Sequence, residues 1–212
     1  MARRVSWIAI VALLVCSPVW ASLITNGSFE TPGGTSTFTT LNAGNTTLTG
    51  WTIAAGSVDY IHTYWQAQNG TSSLDMQGNS PGTISQTVSG LTPGKTYVLS
   101  FWMSGNPDGL PQTKVLEVTA GGVTQDFSYV MGPGNTKTHM LWAQQILIFA
   151  ATSSSTVIQF KDLSGAPGVY GAALDDVTLD PVPEPVTLVL LGPATLVLIG
   201  LKRRRRDSHT ET

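Results

Sequence analysis

Leu91-Thr92-Pro93-Gly94-Lys95-Thr96-Tyr97-Val98-Leu99-Ser100-Phe101-Trp102-Met103 decides the fold class. Tyr97, Leu99, Phe101 and Met103 alternate onto one face, the period-two pattern of a half-buried strand. The four residues before it form a turn, with proline presetting φ and glycine tolerating a positive φ. Similar runs occur at Thr83 to Val88, Lys114 to Thr119, Gln145 to Phe149, Thr156 to Phe160 and Ala173 to Leu179. No helical pattern of ten residues appears after residue 22 until an apolar segment near the C-terminus, and there is no repeat of fixed period. Short strands separated by turns at close intervals predict an all-β, antiparallel sandwich. Thr31 to Gly50, rich in Thr, Gly and Asn, reads as a long surface loop with little structure of its own.

The two ends read as addresses. Arg3-Arg4, the apolar stretch Val5 to Val15 and the small residues Val19 and Ala21 form a secretory signal peptide, a short signal helix cleaved after Ala21. Cys16, the chain's one cysteine, leaves with it, so the mature protein has no disulfide, thiolate nucleophile or cysteine metal ligand. At the other end Pro183-Glu184-Pro185 precedes an uncharged run from Val186 to Leu201, and Lys202-Arg203-Arg204-Arg205-Arg206 follows it. As a helix that run rises about 24 Å, short of the roughly 20 residues that cross a bilayer comfortably, so it is a marginal single transmembrane helix. The basic cluster resists translocation, which keeps residues 207–212 as a cytoplasmic tail and places everything before Pro183 outside. The expected organisation is a signal peptide at 1–21, one β-sandwich domain at 22–182, a sorting or anchoring segment at 183–206 and the tail at 207–212.

Charge narrows the function. Residues 22–182 hold four lysines, no arginine and ten carboxylates, an excess of six negative charges that the whole-chain value of −2 conceals. Nucleic-acid binding is driven mainly by Lys and Arg neutralising phosphates, so nucleic acid is not an expected partner.

The tripartite tail of Pro-Glu-Pro, apolar helix and arginine cluster resembles the PEP-CTERM sorting signal of Gram-negative, exopolysaccharide-forming bacteria. That resemblance implies an exosortase, a membrane-embedded cysteine transpeptidase, as processing partner. It implies an inner-membrane intermediate through 186–201 and a final place at the cell surface or in the extracellular matrix. Pro183, Glu184, Pro185, Arg203, Arg204, Arg205 and Arg206 are the sorting-signal residues on this reading. The tail departs from the usual pattern in extending past the arginines.

The body has its own resemblance. Leu23-Ile24-Thr25-Asn26-Gly27-Ser28-Phe29-Glu30, Gly50-Trp51, Val58-Asp59-Tyr60-Ile61, Gly90 to Tyr97 with Phe101 and Gly105-Asn106-Pro107, and Ala173-Leu174-Asp175-Asp176-Val177 resemble the choice-of-anchor C domain. That domain is similar to the DUF642 family of plant cell-wall and bacterial surface proteins. The resemblance implies a galactose-binding-like jelly roll, related in architecture to carbohydrate-binding modules. In such modules the first and last strands often share a structural Ca²⁺, which makes Glu30, Asp175 and Asp176 candidate ligands. One or two carboxylates with backbone carbonyls around Thr25 to Ser28 would meet calcium's need for hard oxygens. Strict alternation puts Asp175 with Val177 and Leu179, and Asp176 with Leu174 and Thr178, so one aspartate alone could point at such a site. The alternative is that these carboxylates cap turns and accept backbone N–H groups.

Among Trp51, Tyr60, Tyr64, Trp65, Trp102 and Trp142, an exposed ring could serve as a platform for a saccharide's C–H face. Tyr64 and Trp65, with Gln66 and His62, form the best candidate because the surrounding stretch is polar. Trp51 and Trp142 read as core. No Gly-x-Ser-x-Gly, His-Glu-x-x-His or phosphate-loop motif is present, and His62 and His139 are solitary. The expectation is a non-enzymatic, exported sandwich that binds or organises extracellular polysaccharide, with no required cofactor. The alternatives are a structural or adhesion module with a protein partner and a polysaccharide hydrolase. The hydrolase would need two carboxylates, drawn from Asp59, Asp75 or Glu117, facing across a cleft.

Overall fold

In the computed structural model, residues 21–165 and 169–183 are described. The signal peptide and the sorting segment beyond Pro183 lie outside the described residues.

The sequence's alternation becomes two antiparallel sheets. The strands are β1 (Phe38–Asn42), β2 (Thr52–Ala55), β3 (Ser57–Ile61), β4 (Ser73–Asp75), β5 (Thr83–Ser89), β6 (Thr96–Gly105), β7 (Thr113–Ala120), β8 (Val123–Val130), β9 (Ala143–Ala150), β10 (Ser155–Asp162) and β11 (Ala172–Pro181). The first sheet runs β1-β3-β4-β11-β6-β9 and the second β2-β5-β10-β7-β8. From β5 onward the chain passes repeatedly from one sheet to the other, as in a jelly roll. The inward residues Leu99, Phe101 and Met103 of β6 are fully buried, as the period-two reading requires. They meet Ile158 and Phe160 of β10 and Leu116 and Val118 of β7 in one core. Its centre is aromatic: Trp51 lies 5.6 Å from Phe29 and 6.1 Å from Phe160, and Phe101 lies 5.1 Å from both Phe160 and Phe127.

The opening motif closes the sandwich against the last strand. The Val177 amide donates to the Gly27 carbonyl at 2.9 Å. A Cβ at position 27 would sit 1.9 Å from the Val177 carbonyl oxygen, so this approach requires glycine.

Two expectations are corrected here. Residues 31–50 are not featureless: β1 pairs with β3 from Phe38↔Ile61 to Asn42↔Ser57. Phe38-Thr39-Thr40-Leu41 suits a pleated strand, but Leu41 alone of these is buried, so the alternation was too faint to read. The strict alternation of β11 also fails. A β-bulge shifts the register between Asp175 and Thr178, and Asp176 has φ of 47°. One extra residue thus keeps Leu174, Val177 and Leu179 in the core while Asp175 and Asp176 both serve the outer side.

Candidate functional site

The outer face of the first sheet divides into a roofed half and an open half. Two loops, residues 62–72 and 131–142, fold over the first, and Gln66 N–H donates to the Lys137 carbonyl at 2.8 Å to join them. Beneath this roof Ile61, Trp65, Met140 and Ala173 form a second small core, edged by Tyr64 and Trp142. Trp65 is therefore a packing residue: it is 5% exposed, and its indole N–H donates to Ser73 Oγ at 2.8 Å. His62 is buried as well, its ring 4.2 Å from that of Tyr60. Tyr64 is half-buried, and its ring carries the Lys137 ammonium 3.9 Å from the centroid while its hydroxyl donates to Asp108 Oδ2 at 2.6 Å. Of the pair expected as a stacking platform, Trp65 is thus buried and Tyr64 has one ring face covered by Lys137. The polar sequence around Trp65 misled because the roof loop folds back on the sheet and so buries a residue that is not in a strand.

The open half centres on Trp102. Its inward neighbours on β6 fill the core, which sends its own ring outward, where it is half-buried and belongs to neither core cluster. Across the sheet it is flanked by Asp175 on β11 and Gln144 on β9. The next row is Thr178, Ser100 and Ile146, and the one after is Asp180, Val98 and Ile148. Gln144 Nε2 donates to Ser100 Oγ at 2.8 Å, which fixes the amide beside the indole. Trp142, two residues before Gln144 on β9's line, is half-buried rather than core and is tethered by its Nε1–H to the Gln66 carbonyl at 3.1 Å. Trp102 across the sheet and Trp142 along the chain thus both lie next to Gln144, near hydroxyls and exposed isoleucines. The outer face of the second sheet differs: Ser85, Gln159, Thr119 and Thr124 line it without an aromatic ring.

Glu30, Asp175 and Asp176 converge on one segment, Gln68 to Ser72, at the border of the two halves. Glu30 Oε1 accepts the amides of Thr71 at 2.9 Å and Ser72 at 2.7 Å, and Oε2 accepts the Thr71 hydroxyl at 2.9 Å. Asp175 Oδ2 accepts the amides of Gln68 at 2.8 Å and Asn69 at 3.0 Å. Its Oδ1 accepts the Asp176 amide at 2.7 Å, and Asp176 Oδ1 accepts the Asn69 side-chain amide at 2.9 Å. Burial pushes the Asp175 carboxyl up to about 7, against the pull of these N–H donors. Gly70 fits under the Glu30 carboxylate, where a Cβ would lie 2.5 Å from Glu30 Cδ. Among the described residues no group of three or more His, Cys, Asp or Glu side chains is placed to hold a metal. Gln68 Oε1 is buried with no hydrogen-bond partner, in the same segment whose amides donate to Glu30 and Asp175.

Asp59, Asp75 and Glu117 do not face one another across a cleft. Asp59 and Asp75 are direct cross-strand partners rather than groups facing over a cleft. Asp75 is fully buried; its Oδ2 accepts Asn106 Nδ2 at 2.6 Å and its Oδ1 the amides of Gln77 and Gly171, each at 3.0 Å. Burial nevertheless pushes it up to about 8. Glu117, on the other sheet, pairs with Lys161 at 3.4 Å.

Fold and site together define an antiparallel β-sandwich with one aromatic-bearing outer face. The family model described as "Protein of unknown function (DUF642)" matches residues 22–180, and the chain belongs to that family. It is 32% identical over 171 residues to halomucin of Haloquadratum walsbyi, an alignment covering 78% of this chain and 2% of that protein. The chain thus spans a small fraction of that curated relative. Among solved structures it is similar to TmCBM61 in complex with β-1,4-galactotriose, at 18% identity and a TM-score of 0.46, over 77% of this chain and 100% of that one. It is also similar to a CBM4 structure, at 16% identity and a TM-score of 0.43, over 75% and 99%. Likenesses at that level say nothing of what this chain binds.

Proposed function

We propose that the sandwich is a non-catalytic polysaccharide-binding module, with Trp102 as the stacking ring and Gln144, Ser100 and Thr178 as hydroxyl partners. The observation that carries this reading is an indole held on an open sheet face and used by neither core. A flat aromatic beside fixed amide and hydroxyl groups matches the alternating C–H and O–H character of a sugar ring. The module belongs, on this proposal, to a choice-of-anchor C protein that is exported by its signal peptide and sorted by an exosortase through Pro183-Glu184-Pro185 to the cell surface or matrix. Glu30, Asp175 and Gln68 Oε1, completed by backbone carbonyls or water, would hold a Ca²⁺ that braces the Gln68–Ser72 segment beside the sugar face. The test is retardation of the protein in native gels containing soluble polysaccharides. Trp102→Ala abolishes retardation and lowers the thermal midpoint by less than loss of a core tryptophan would, since the partly buried ring belongs to neither core cluster. Retardation unchanged in Trp102→Ala would refute this site.

A further inference from the structure

We infer that the Trp102 face selects its polysaccharide by charge, taking neutral chains and rejecting those that carry uronate, sulfate or phosphate groups. This rests on the glycan-binding reading and adds to it the class of ligand.

The inference comes from where the few cations are. Residues 22–182 contain no arginine and four lysines. Lys114 is fully buried, and its Nζ donates to the Gly109 carbonyl at 3.0 Å and to the Tyr170 carbonyl. Lys137 is neutralised by Asp108 at 2.9 Å and lies over Tyr64. Lys161 is on the second sheet and paired with Glu117. Lys95 sits in the turn before β6, seven residues from Trp102, which an extended strand makes roughly 23 Å. That is well beyond the Debye length of about 8 Å at physiological ionic strength.

Carboxylates stand on the same side. Asp175, the cross-strand neighbour of Trp102, is itself buried, while the partly exposed Asp176 reaches the same Gln68–Asn69 segment and the partly exposed Asp180 stands in the row of Val98 and Ile148. Acidic polysaccharides are held by Lys and Arg, with Arg favoured for bidentate contacts to carboxylate, sulfate and phosphate. Here an acidic sugar stacked on Trp102 would meet like charge and find no free cation among the lysines accounted for above. A neutral sugar carries no charge for these carboxylates to repel.

The test uses matched polymer pairs in native affinity gels: hydroxyethylcellulose with carboxymethylcellulose, galactan with polygalacturonate, and dextran with dextran sulfate. Each is run with and without EDTA, because a bound Ca²⁺ would invert the local charge. The expected result is Trp102-dependent retardation by at least one neutral polymer, unchanged by raising NaCl, with its acidic counterpart at least about tenfold weaker. Asp176→Asn is the informative variant, since asparagine tolerates the positive φ found there and removes one charge. It narrows the gap by strengthening the acidic polymer and leaves the neutral one unchanged. An acidic polymer bound as tightly as its neutral partner, through Trp102 and with or without Ca²⁺, overturns the charge selection and leaves the sugar site standing. Retardation by no polymer overturns the glycan reading itself.

Discussion

Replacing Trp65 by alanine separates burial from ligand contact. The indole is 5% exposed, lies in the small cluster with Ile61, Met140 and Ala173, and donates to Ser73 Oγ, on a residue that is itself fully buried. Truncation removes the packing and leaves that hydroxyl without its donor. Trp→Ala changes in cores cost about 3–5 kcal/mol. The lower end applies here, because the roof is made of loops that can settle into the space. For a domain of this size about 3 kcal/mol corresponds to a fall of roughly 6–12 °C in midpoint. A fold of ordinary stability, about 5–15 kcal/mol, survives that loss. The assay is thermal unfolding followed by tryptophan fluorescence, with native-gel retardation at a temperature where the variant stays folded. The expected result is a large drop in midpoint with retardation retained. A midpoint within about 2 °C of the parent combined with lost retardation would show that Trp65 meets the ligand and that the roof is not closed over it.

Four other outcomes are expected. Glu30→Gln places an amide against the three donors from Thr71 and Ser72, and it should cost about 1.5–3 kcal/mol and speed hydrogen exchange at those two amides. If calcium joins Glu30 and Asp175, EDTA lowers the parent midpoint by several degrees, Ca²⁺ restores it, and Glu30→Gln removes the response; an unresponsive parent would assign these carboxylates to the loop alone. Stability should also vary with pH in a definite way. Burial pushes Asp75 up to about 8 and Asp175 up to about 7, so the stability tied to their neutral forms is complete below about pH 4 and is lost as pH rises through 7–8. Burial lowers Lys114 to about 8, so its contribution has the opposite sign, present above the unfolded value near 10.4 and lost as pH falls through 8. The midpoint should therefore fall from pH 5 to a minimum near 8 and recover toward pH 10, and a curve rising steadily from pH 5 to 8 would contradict this. Finally, intact mass of the protein recovered from its host's surface should match a species beginning at Ser22 and ending near Pro183. Retention of Val186 to Thr212 in a membrane fraction would refute exosortase sorting.

The sequence by itself determined the fold class, because inward and outward residues alternate strictly where one sheet face packs on another. That holds for Tyr97, Leu99, Phe101 and Met103, and the same alternation already turned Trp102 the other way. Sequence also determined the scarcity of cations, since charge is a property of composition. The strands it missed are of two kinds: β1, β2 and β8 bury one residue each, Leu41, Ile53 and Phe127, while β3 and β4 are buried almost throughout and, at five and three residues, are too short to show a period. Tertiary structure alone decided which aromatic rings are free. Trp65 is buried by a polar loop that folds back over its own sheet, whereas Trp102 points to the outer face, is partly buried and belongs to neither core cluster. It also decided that Asp175 and Asp176 act together. A single extra residue at the bulge broke the alternation, and it lies where Gly27, from the far end of the domain, approaches Val177, a contact no local pattern records.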